Sequence, residues 1–401
     1  MKIAFLSTRI NGSDGVSLEI DKWARILARE GHEIFYAAGE LGNFPNKQEL
    51  PEMHFKHAEI LCLQEMAFAS QERSDELTDR IMTMAERLEE AIGRILDAWQ
   101  IELIIAENIL TIPMNIPLAI ALTRIIRQRE LATIAHHHDF YWERERFKVN
   151  QVQEILDEYF PPKHLAIQHV VINSIAQEAL KQRTGLDADI IPNIFEFEQS
   201  YAVDAATGQG LRASLGIHPD EMMVLQPTRI VPRKGIELAI DLVAELRREA
   251  NLERLGKKDV KLIFSHPSGD EGDDYLSYLL ERAKRSNVPV VQAALMFSLG
   301  LEDGDLTNLW DAYHCADLVT YPSYVEGFGN ALLEALCFRK MVVINRYPVY
   351  ERDICPLGFE LIEMDGEVTP QVVERVMDVM TDESMRKEMV ARNHAIAKEH
   401  Y

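Results

Sequence analysis

The sequence predicts an α/β protein made of two doubly wound, Rossmann-like domains. Short apolar runs, typical of strands buried on both faces, alternate with amphipathic helical patterns, as in parallel sheets covered by helices. The alternation starts again after a polar segment of small residues, and 401 residues are enough for two domains of roughly 100–200 residues. We predict a first domain over residues 1–195, a linker over 196–212, a second domain over 213–385 and a C-terminal helix over 386–401.

The first domain begins with a strand–helix–strand unit. An apolar run at 2–7 leads into a turn that contains glycine, a helical pattern covers 16–29, and a second apolar run follows at 32–38. Gly31 stands just past the helical pattern, where a helix commonly ends. Further strands are expected at 103–106, 132–136, 166–172 and 189–191, with helices at 74–99 and 117–128.

The second domain repeats this organisation. Strands are expected at 222–226, 260–264, 288–291, 317–321 and 341–345, with helices at 236–249 and 330–337. Parallel sheets of this kind bind ligands at the carboxyl ends of their strands, so two such domains predict a cleft between them.

Composition excludes several classes of protein. With 42 Lys and Arg against 65 Asp and Glu, the net charge of −23 argues against nucleic acid as a partner. No run approaches the roughly 18 apolar residues of a membrane span, and the first residues lack the apolar region of a signal peptide. The four cysteines show no metal-binding spacing and favour a reducing compartment. We therefore expect a cytoplasmic enzyme.

The segment 322–335 carries the strongest functional signal. It follows a predicted strand, turns through Gly327 and Gly329, and enters a helix, an arrangement that directs backbone N–H groups at an anion. Glu326 stands before the turn, where it can accept hydrogen bonds from sugar hydroxyls, and Glu334 lies further along the helix. The alternative is a capped helix with two solvated glutamates.

A cluster of cations follows the first strand of the second domain. Arg229, Arg233 and Lys234 precede Gly235 at the start of a helix, which suits a diphosphate. The alternative is a basic loop exposed to solvent.

Together these residues resemble the retaining glycosyltransferases of family 4, within the glycosyl transferases group 1, which have the GT-B fold. Glu326 and Glu334, with seven residues between them, match the family's E-x7-E motif, and Arg229 and Lys234 match its R-x4-K motif. The resemblance implies that Glu326 holds donor-sugar hydroxyls, that Glu334 holds the ribose, and that Arg229 and Lys234 bind the donor diphosphate.

The resemblance also implies roles for each domain. The first domain would lie on the acceptor side, the second would bind the nucleotide sugar, and the C-terminal helix would cross back to the first domain. The other expected donor-binding residues lie in one glycine-containing loop of each domain: Gly12, Gly15, Gly327, Phe328, Gly329 and Asn330.

Three consecutive histidines, His136 to His138, follow a predicted strand. Successive residues of an extended chain point to opposite faces, so all three cannot bind one metal ion, and we predict no metal site. The family places a histidine against the donor sugar just after this strand. His138, which precedes Asp139, matches that histidine best, and His136 is the competing candidate.

Arginines close to these histidines suggest how an acceptor is bound. Arg144 and Arg146, together with Arg9, can receive an anionic acceptor through forked hydrogen bonds, and we assign Asp139 and Tyr141 to the same site. The alternative is that Arg144 and Arg146 form ion pairs with the neighbouring glutamates on a helix surface.

The resemblance implies transfer of a hexose, with retention, from a nucleotide-diphosphate sugar such as GDP-mannose or UDP-glucose. The expected acceptor is a small soluble hydroxyl compound, and a glycerate glycoside fits if the arginines bind an anion. No cofactor is expected, since fixed cations replace Mg²⁺. A sugar-nucleotide-binding protein without turnover and a nucleotide-sugar epimerase are the alternatives, because residues 345–350 depart from the family's glycine pair and leave the donor sugar open.

Overall fold

A computed structural model of the chain describes residues 1–12, 15–69, 75–198, 205–268, 272–294 and 309–401. It divides into two compact units, Met1–Asn193 and Ile194–Tyr401, and each has its own sheet and hydrophobic core. Within the segment that we interpret as a linker, a helix starts at Ala205, and residues 199–204 lie outside the described part.

The first unit is built on a parallel sheet of seven described strands in the order β3-β2-β1-β4-β5-β6-β7. The strands are β1 Lys2–Ser7, β2 Glu33–Ala38, β3 Lys47–Glu49, β4 Leu103–Glu107, β5 Thr133–His137, β6 Ile167–Val171 and β7 Asp189–Ile190. The strand order reverses between β1 and β4, so the loops that follow these two strands diverge and leave a crevice at the carboxyl edge.

The helices of this unit are α1 Gly15–Arg29, α2 Ala58–Ala69, α3 Asp75–Trp99, α4 Ile116–Arg129, α5 Gln153–Tyr159 and α6 Ser174–Thr184. The predicted helices at 16–29, 74–99 and 117–128 agree with α1, α3 and α4 to within a residue at each end. The helix α2 was not predicted, because its apolar residues do not keep to one face: Ile60 and Leu63 are buried while Leu61 is exposed.

The second unit repeats the design with six described parallel strands in the order β10-β9-β8-β11-β12-β13. They are β8 Glu221–Gln226, β9 Asp259–Phe264, β10 Val290–Gln292, β11 Leu318–Tyr321, β12 Val342–Asn345 and β13 Ile362–Met364. Here the order reverses between β8 and β11, so the loops after these strands border the second crevice.

The helices of the second unit are α7 Ala205–Ser214, α8 Ile236–Leu246, α9 Glu249–Leu255, α10 Asp274–Arg285, α11 Leu309–Cys315, α12 Asn330–Cys337, α13 Pro370–Thr381 and α14 Glu383–His400. The predicted helix at 236–249 ends earlier than expected, because Arg248 is extended and Arg247 is held by two hydrogen bonds to Asp259 on β9. The C-terminal helix begins at Glu383, where Asp382 caps it by accepting a hydrogen bond from the Met385 N–H. Within the described residues, no helix is both long enough and apolar enough to cross a membrane.

Candidate active site

Two loops meet at the carboxyl edge of the second sheet, where the strand order reverses. The loop after β8 carries the predicted diphosphate-binding cations, and the loop after β11 carries Glu326. The Tyr324 N–H donates to the Arg233 carbonyl oxygen at 2.9 Å, and the Arg233 guanidinium donates to the Val325 carbonyl oxygen at 3.3 Å. Sheet topology therefore joins segments about 90 residues apart, as the pairing of β8 with β11 requires.

Gly235 allows this close contact. Its φ of +57° is in the left-handed region, and a Cβ at this position would lie 2.4 Å from the Pro322 carbonyl oxygen. Any other residue would push the two loops apart.

A buried ion pair between Lys234 and Glu326 lies where the loops meet. The two side chains are 9% and 8% exposed, and the Arg233 guanidinium is 3.7 Å from the same carboxylate. Burial alone would raise the pKa of Glu326, but the charges of Lys234 and Arg233 hold it below its ordinary value. Arg229 is close enough to act on the pKa of Lys234, so Arg229 and Arg233 both lie near the Lys234–Glu326 pair.

Glu334 lies on α12 and is buried. Its carboxylate accepts a hydrogen bond of 2.7 Å from the hydroxyl of Tyr313 on α11. Burial, together with the charge of Glu334, raises the pKa of Tyr313 well above its ordinary value. Tyr313 thus holds one carboxylate oxygen of the residue that we predict binds ribose.

The glycine turn before α12 rests on the segment that departs from the family pattern. Gly329 has φ of +138°, and a Cβ there would lie 2.6 Å from the hydroxyl of Tyr347. That hydroxyl donates to the Phe328 carbonyl oxygen at 2.7 Å, and the Phe328 ring packs edge-on against Tyr401. The changed loop therefore supplies a buried tyrosine that supports the turn holding Gly327 and Asn330.

In the first unit, a second cluster forms at the carboxyl ends of β4 and β5. Glu107 is the last residue of β4, and strand register places it beside His136. Its carboxylate is hydrogen-bonded to Nδ1 of His136 at 3.0 Å and to Nε2 of His138 at 3.1 Å. Burial alone would raise the pKa of Glu107, but the two histidines hold it at about 2.

The two candidate histidines differ in accessibility. His136 is fully buried, and its ring stacks on Trp23 with centroids 4.6 Å apart. The His138 side chain is 10% exposed, and its pKa is raised: burial lowers it, but the hydrogen bond to Glu107 and the charge of Glu107 outweigh burial. His138 is thus the one that a ligand can reach without displacing core residues.

The third histidine points to the opposite face, as the strand alternation predicted. His137 shares a 2.9 Å hydrogen bond with Nδ1 of His169 on β6, and both rings are buried. Burial and the nearby His169 lower the pKa of His137 well below its ordinary value, and burial lowers that of His169 to about 4. Both are therefore neutral at neutral pH.

The ligating atoms of Glu107, His136 and His138 lie within 4.8 Å of one another, a donor set that a transition metal could accept. A metal-bound histidine ordinarily donates its other ring N–H to an acceptor. Nε2 of His136 is buried and has no hydrogen-bond partner among the described residues. We therefore interpret the cluster as a hydrogen-bonded carboxylate–histidine network.

The residues predicted to bind the acceptor lie around the same edge. Asp139 is paired with Arg144 and accepts a 3.0 Å hydrogen bond from Asn108, which also accepts one from the His138 N–H. Among the described residues, the ion pair of Arg144 is thus with Asp139 and not with a neighbouring glutamate, and the Glu143 carboxylate accepts from the Phe140 N–H at 2.9 Å.

The remaining predicted acceptor-binding residues occupy nearby loops. The Tyr141 N–H donates to the Thr111 carbonyl oxygen at 3.0 Å. The Arg146 guanidinium lies 4.5 Å from the Phe147 ring centroid, and that of Arg9 lies 5.7 Å from the Phe55 ring centroid. The structure thus pairs Asp139 with Arg144 directly and links them to His138 through Asn108. Arg9 and Arg146 lie on separate loops, each against an aromatic ring.

The glycine loop of the first unit is described only in part, because residues 13 and 14 lie outside the described ranges. Gly12 has φ of +83°, and Gly15 is the first residue of α1. The Asn11 N–H donates to the Ser17 hydroxyl at 3.2 Å, which joins the described part of the loop to the first turn of the helix.

Glu107 is not among the residues that the sequence indicated, whereas Tyr313 is one of the residues that fall in the family's order. Glu107 ends the apolar run of β4, and a lone carboxylate at the carboxyl end of a buried parallel strand was the signal available for it. Nothing in the sequence pointed to the pairing of Tyr313 with Glu334.

Comparisons with known proteins agree with this architecture. Residues 209–395 match the family described as glycosyl transferases group 1. The structure of HepE from Anabaena in complex with UDP and glucose superposes with a TM-score of 0.64 at 17% identity, over 100% of this chain and 95% of that one. The fold is therefore that of the GT-B glycosyltransferases, two Rossmann-like parallel-sheet domains.

Two curated relatives extend over almost the whole chain. The mannosylglucosylglycerate synthase of Petrotoga mobilis is 35% identical over 92% of this chain and 87% of its own length. That of Thermotoga maritima is 34% identical over 100% of this chain and 96% of its own length. The chain belongs to the glycosyl transferases group 1 and is a glycosyltransferase.

Proposed function

We propose that this chain transfers a hexosyl group, with retention of configuration, from a nucleotide-diphosphate sugar to a glycerate glycoside. The observation that carries the proposal is the buried Lys234–Glu326 pair, surrounded by Arg229 and Arg233 where the strand order of the second sheet reverses. The names of the two long relatives support mannose as the transferred sugar and glucosylglycerate as the acceptor.

The second unit has the charges that a departing nucleoside diphosphate needs. Lys234 and Arg229 would attract the diphosphate, while Glu326, held ionised by its cations, accepts hydrogen bonds from sugar hydroxyls. Backbone N–H groups at Phe328, Gly329 and Asn330 would add donors. Each well-placed donor stabilises charge that develops on the leaving group by roughly 3–4 kcal/mol.

In the proposed reaction, the bond between the anomeric carbon and the β-phosphate oxygen breaks. The acceptor hydroxyl oxygen bonds to that carbon on the same face, and its proton passes to a leaving phosphate oxygen. The products are the new glycoside and the nucleoside diphosphate. His138 positions the sugar as a hydrogen-bond donor, and its pairing with Glu107 balances its charge beside the electron-poor anomeric carbon.

The acceptor site would lie in the first unit. Asp139, Tyr141 and Arg144 follow β5 close to His138, and Arg9 and Arg146 would supply positive charge for a carboxylate. We propose that transfer requires neither a cofactor nor Mg²⁺, since the diphosphate charge is met by fixed cations.

The first test is a thermal-shift panel with GDP, UDP, ADP and their hexose conjugates, in EDTA. A ligand at about 100 times its Kd adds roughly 2.7 kcal/mol of stability, so the bound nucleotide identifies the donor class. Transfer is then measured with that donor and glucosylglycerate, by mass spectrometry of the product, with its anomeric configuration read by NMR.

We expect GDP-mannose with glucosylglycerate to give an α-linked product. Glucosylglycerate replaced by its methyl ester is the matched acceptor, and loss of the carboxylate charge should raise KM. A transferase acting on another acceptor would use both compounds equally or neither. Tight nucleotide binding without transfer to any acceptor would instead support a sugar-nucleotide-binding protein.

A further inference from the structure

The buried carboxylate of Glu107 has so far been given only one role in the proposed chemistry, to balance the charge of His138. It is the last residue of β4, it is 1% exposed, and it accepts hydrogen bonds from His136 on β5 and from His138 just after β5. A carboxylate buried so deeply is costly unless its partners are fixed. The buried Glu107 carboxylate lies at the carboxyl edge of the sheet, where parallel sheets bind ligands. Its position indicates that the Glu107–histidine cluster contributes to ligand binding or catalysis.

We propose that Glu107 is a positioning residue for His138, whose ring it orients so that Nδ1 is the nitrogen presented to the sugar. The inference rests on the proposed function, because it assumes that His138 faces the donor. Its basis is geometric: Nε2 of His138 donates to Glu107 at 3.1 Å, and no described residue forms a hydrogen bond with Nδ1. Because Nε2 of the His138 ring is bonded to Glu107, Nδ1 is the ring nitrogen that remains for a hydrogen bond to the sugar.

The surroundings of His138 hold its ring further. Its backbone N–H donates to Asn108 at 3.2 Å, and its ring lies 4.5 Å, centroid to centroid, from that of His136. His136 is in turn fixed between Glu107 and Trp23. The residue after β5 therefore keeps a defined ring orientation although it follows a strand end.

Charge supports the same role. The groups that act on His138 are Glu107, Glu19 on α1 and Asp139, and the last two are paired with Lys22 and Arg144. Among the described residues, Glu107 is thus the one of these three acidic groups that pairs with no Lys or Arg, and it favours the protonated form of the His138 ring. The protonated ring is a donor at Nδ1, and its charge is balanced at once by the carboxylate.

The test compares Glu107→Gln with the unsubstituted enzyme. Glutamine has a similar shape but lacks the charge, and its amide N–H₂ can donate to Nε2, which allows the ring to switch tautomer. We expect kcat to fall by about tenfold to a hundredfold, as when an orienting partner is removed, with a much smaller change in the donor KM. The alkaline limb of the pH–rate profile should move to lower pH by about one unit or more, because His138 loses its negative neighbour.

NMR of ¹⁵N-labelled histidine gives a second measurement, in which His138 is assigned by its loss in His138→Gln. In the unsubstituted protein, neutral His138 should carry its proton on Nε2 and titrate above the ordinary pKa of 6.5. In Glu107→Gln the pKa of His138 should fall, and the neutral tautomer with its proton on Nδ1 should become detectable. If the variant does not fold, the tautomer in the unsubstituted protein still decides the orientation. Glu158→Gln, an exposed carboxylate paired with Arg127, is the matched control and should change neither measurement.

Three results would overturn the inference. The first is that the tautomer and the pKa of His138 are the same in Glu107→Gln as in the unsubstituted protein. The second is that the tautomer and the pKa of His138 change while kcat and the pH–rate profile do not. The third is stoichiometric binding of Zn²⁺ to Glu107, His136 and His138 whose removal by EDTA abolishes transfer. Failure of the proposed function gives a different result: the unsubstituted protein would then transfer no sugar from any nucleotide sugar. The NMR measurement would still report the tautomer and the pKa of His138.

Discussion

At the scale of single residues, Lys234 and Glu326 neutralise each other in a buried position. Leaving one partner of such a pair alone is expensive, while replacing both by uncharged side chains of similar size is tolerated much better. Stability and catalysis can therefore be separated with the same two side chains.

Lys234→Ala should lower kcat by about a hundredfold to a thousandfold, because it removes a cation from the leaving diphosphate. It should also lower the free energy of unfolding by about 3–5 kcal/mol by leaving Glu326 buried without its main cation. Steady-state kinetics and urea unfolding measure the two effects.

The double variant Lys234→Met/Glu326→Gln separates them. Most of the stability should return while kcat stays low. Lys257→Ala changes a partly exposed lysine of the same domain, and this control should resemble the unsubstituted protein in both measurements. A stable Lys234→Ala enzyme with nearly normal kcat would remove the basis of the diphosphate assignment.

At the scale of elements, the turn between β11 and α12 depends on a glycine and on a tyrosine from another loop. Gly329 combines a φ of +138° with a Tyr347 hydroxyl only 2.6 Å from where a Cβ would lie. The family resemblance predicted a glycine turn here but not its support, since Tyr347 lies in the segment that departs from the family.

Gly329→Ala should lose more stability than a glycine substitution made for conformational reasons alone. Gly256, at the end of α9, has φ of +63° with nothing within 4 Å of a Cβ, so Gly256→Ala measures the backbone cost, about 1 kcal/mol. Gly329→Ala should add a steric cost to this backbone cost, so that the free energy of unfolding falls by about 1–3 kcal/mol in total. The same change should weaken nucleotide binding. Equal unfolding free energies with unchanged nucleotide affinity would show that the contact with Tyr347 is unimportant.

At the scale of the whole molecule, stability should fall as the solution becomes acidic. His169 has a pKa of about 4 in the folded protein against an ordinary value of 6.5, so the unfolded chain binds more protons between these values. The contribution is fully present above about pH 6.5 and is lost as pH falls towards 4, amounting to about 3 kcal/mol at 1.36 kcal/mol per pKa unit.

Urea midpoints at pH 7 and pH 5 measure this loss, and His169→Gln should make the acid limb shallower. His218→Gln changes an exposed histidine and should leave the limb as it is. If His169→Gln loses as much stability between pH 7 and pH 5 as the unsubstituted protein does, titratable groups other than His169 cause the loss.

The parts of this site that the sequence predicted are those that lie within one continuous segment. Glu326, Glu334, Arg229 and Lys234 were found because strand, loop and helix signals surround them in short stretches of chain. Glu107 was missed because its partners depend on the register of β4 against β5, which pairs it with His136 and which no local pattern encodes.

The same limit applies to the acceptor residues and to the helices. Arg144 was expected to bind an acceptor or a neighbouring glutamate, and its pairing with Asp139 depends on the three-dimensional course of the loop after β5. The helix α2 was missed because packing on two sides removes the one-sided apolar pattern that marks a surface helix.

The adjacency of β8 and β11 also determines when the donor site can exist during synthesis. Glu326 follows Lys234 by 92 residues, which corresponds to roughly 5–20 s of translation at 5–20 residues per second. Until β11 is made and pairs with β8, the cationic loop lacks Glu326, the carboxylate that pairs with Lys234 in the folded domain. Under the proposed function, a nucleotide sugar would therefore stabilise the completed sheet and would not guide its folding, and the protection that it gives against hydrogen exchange should arise in β8 and β11 together.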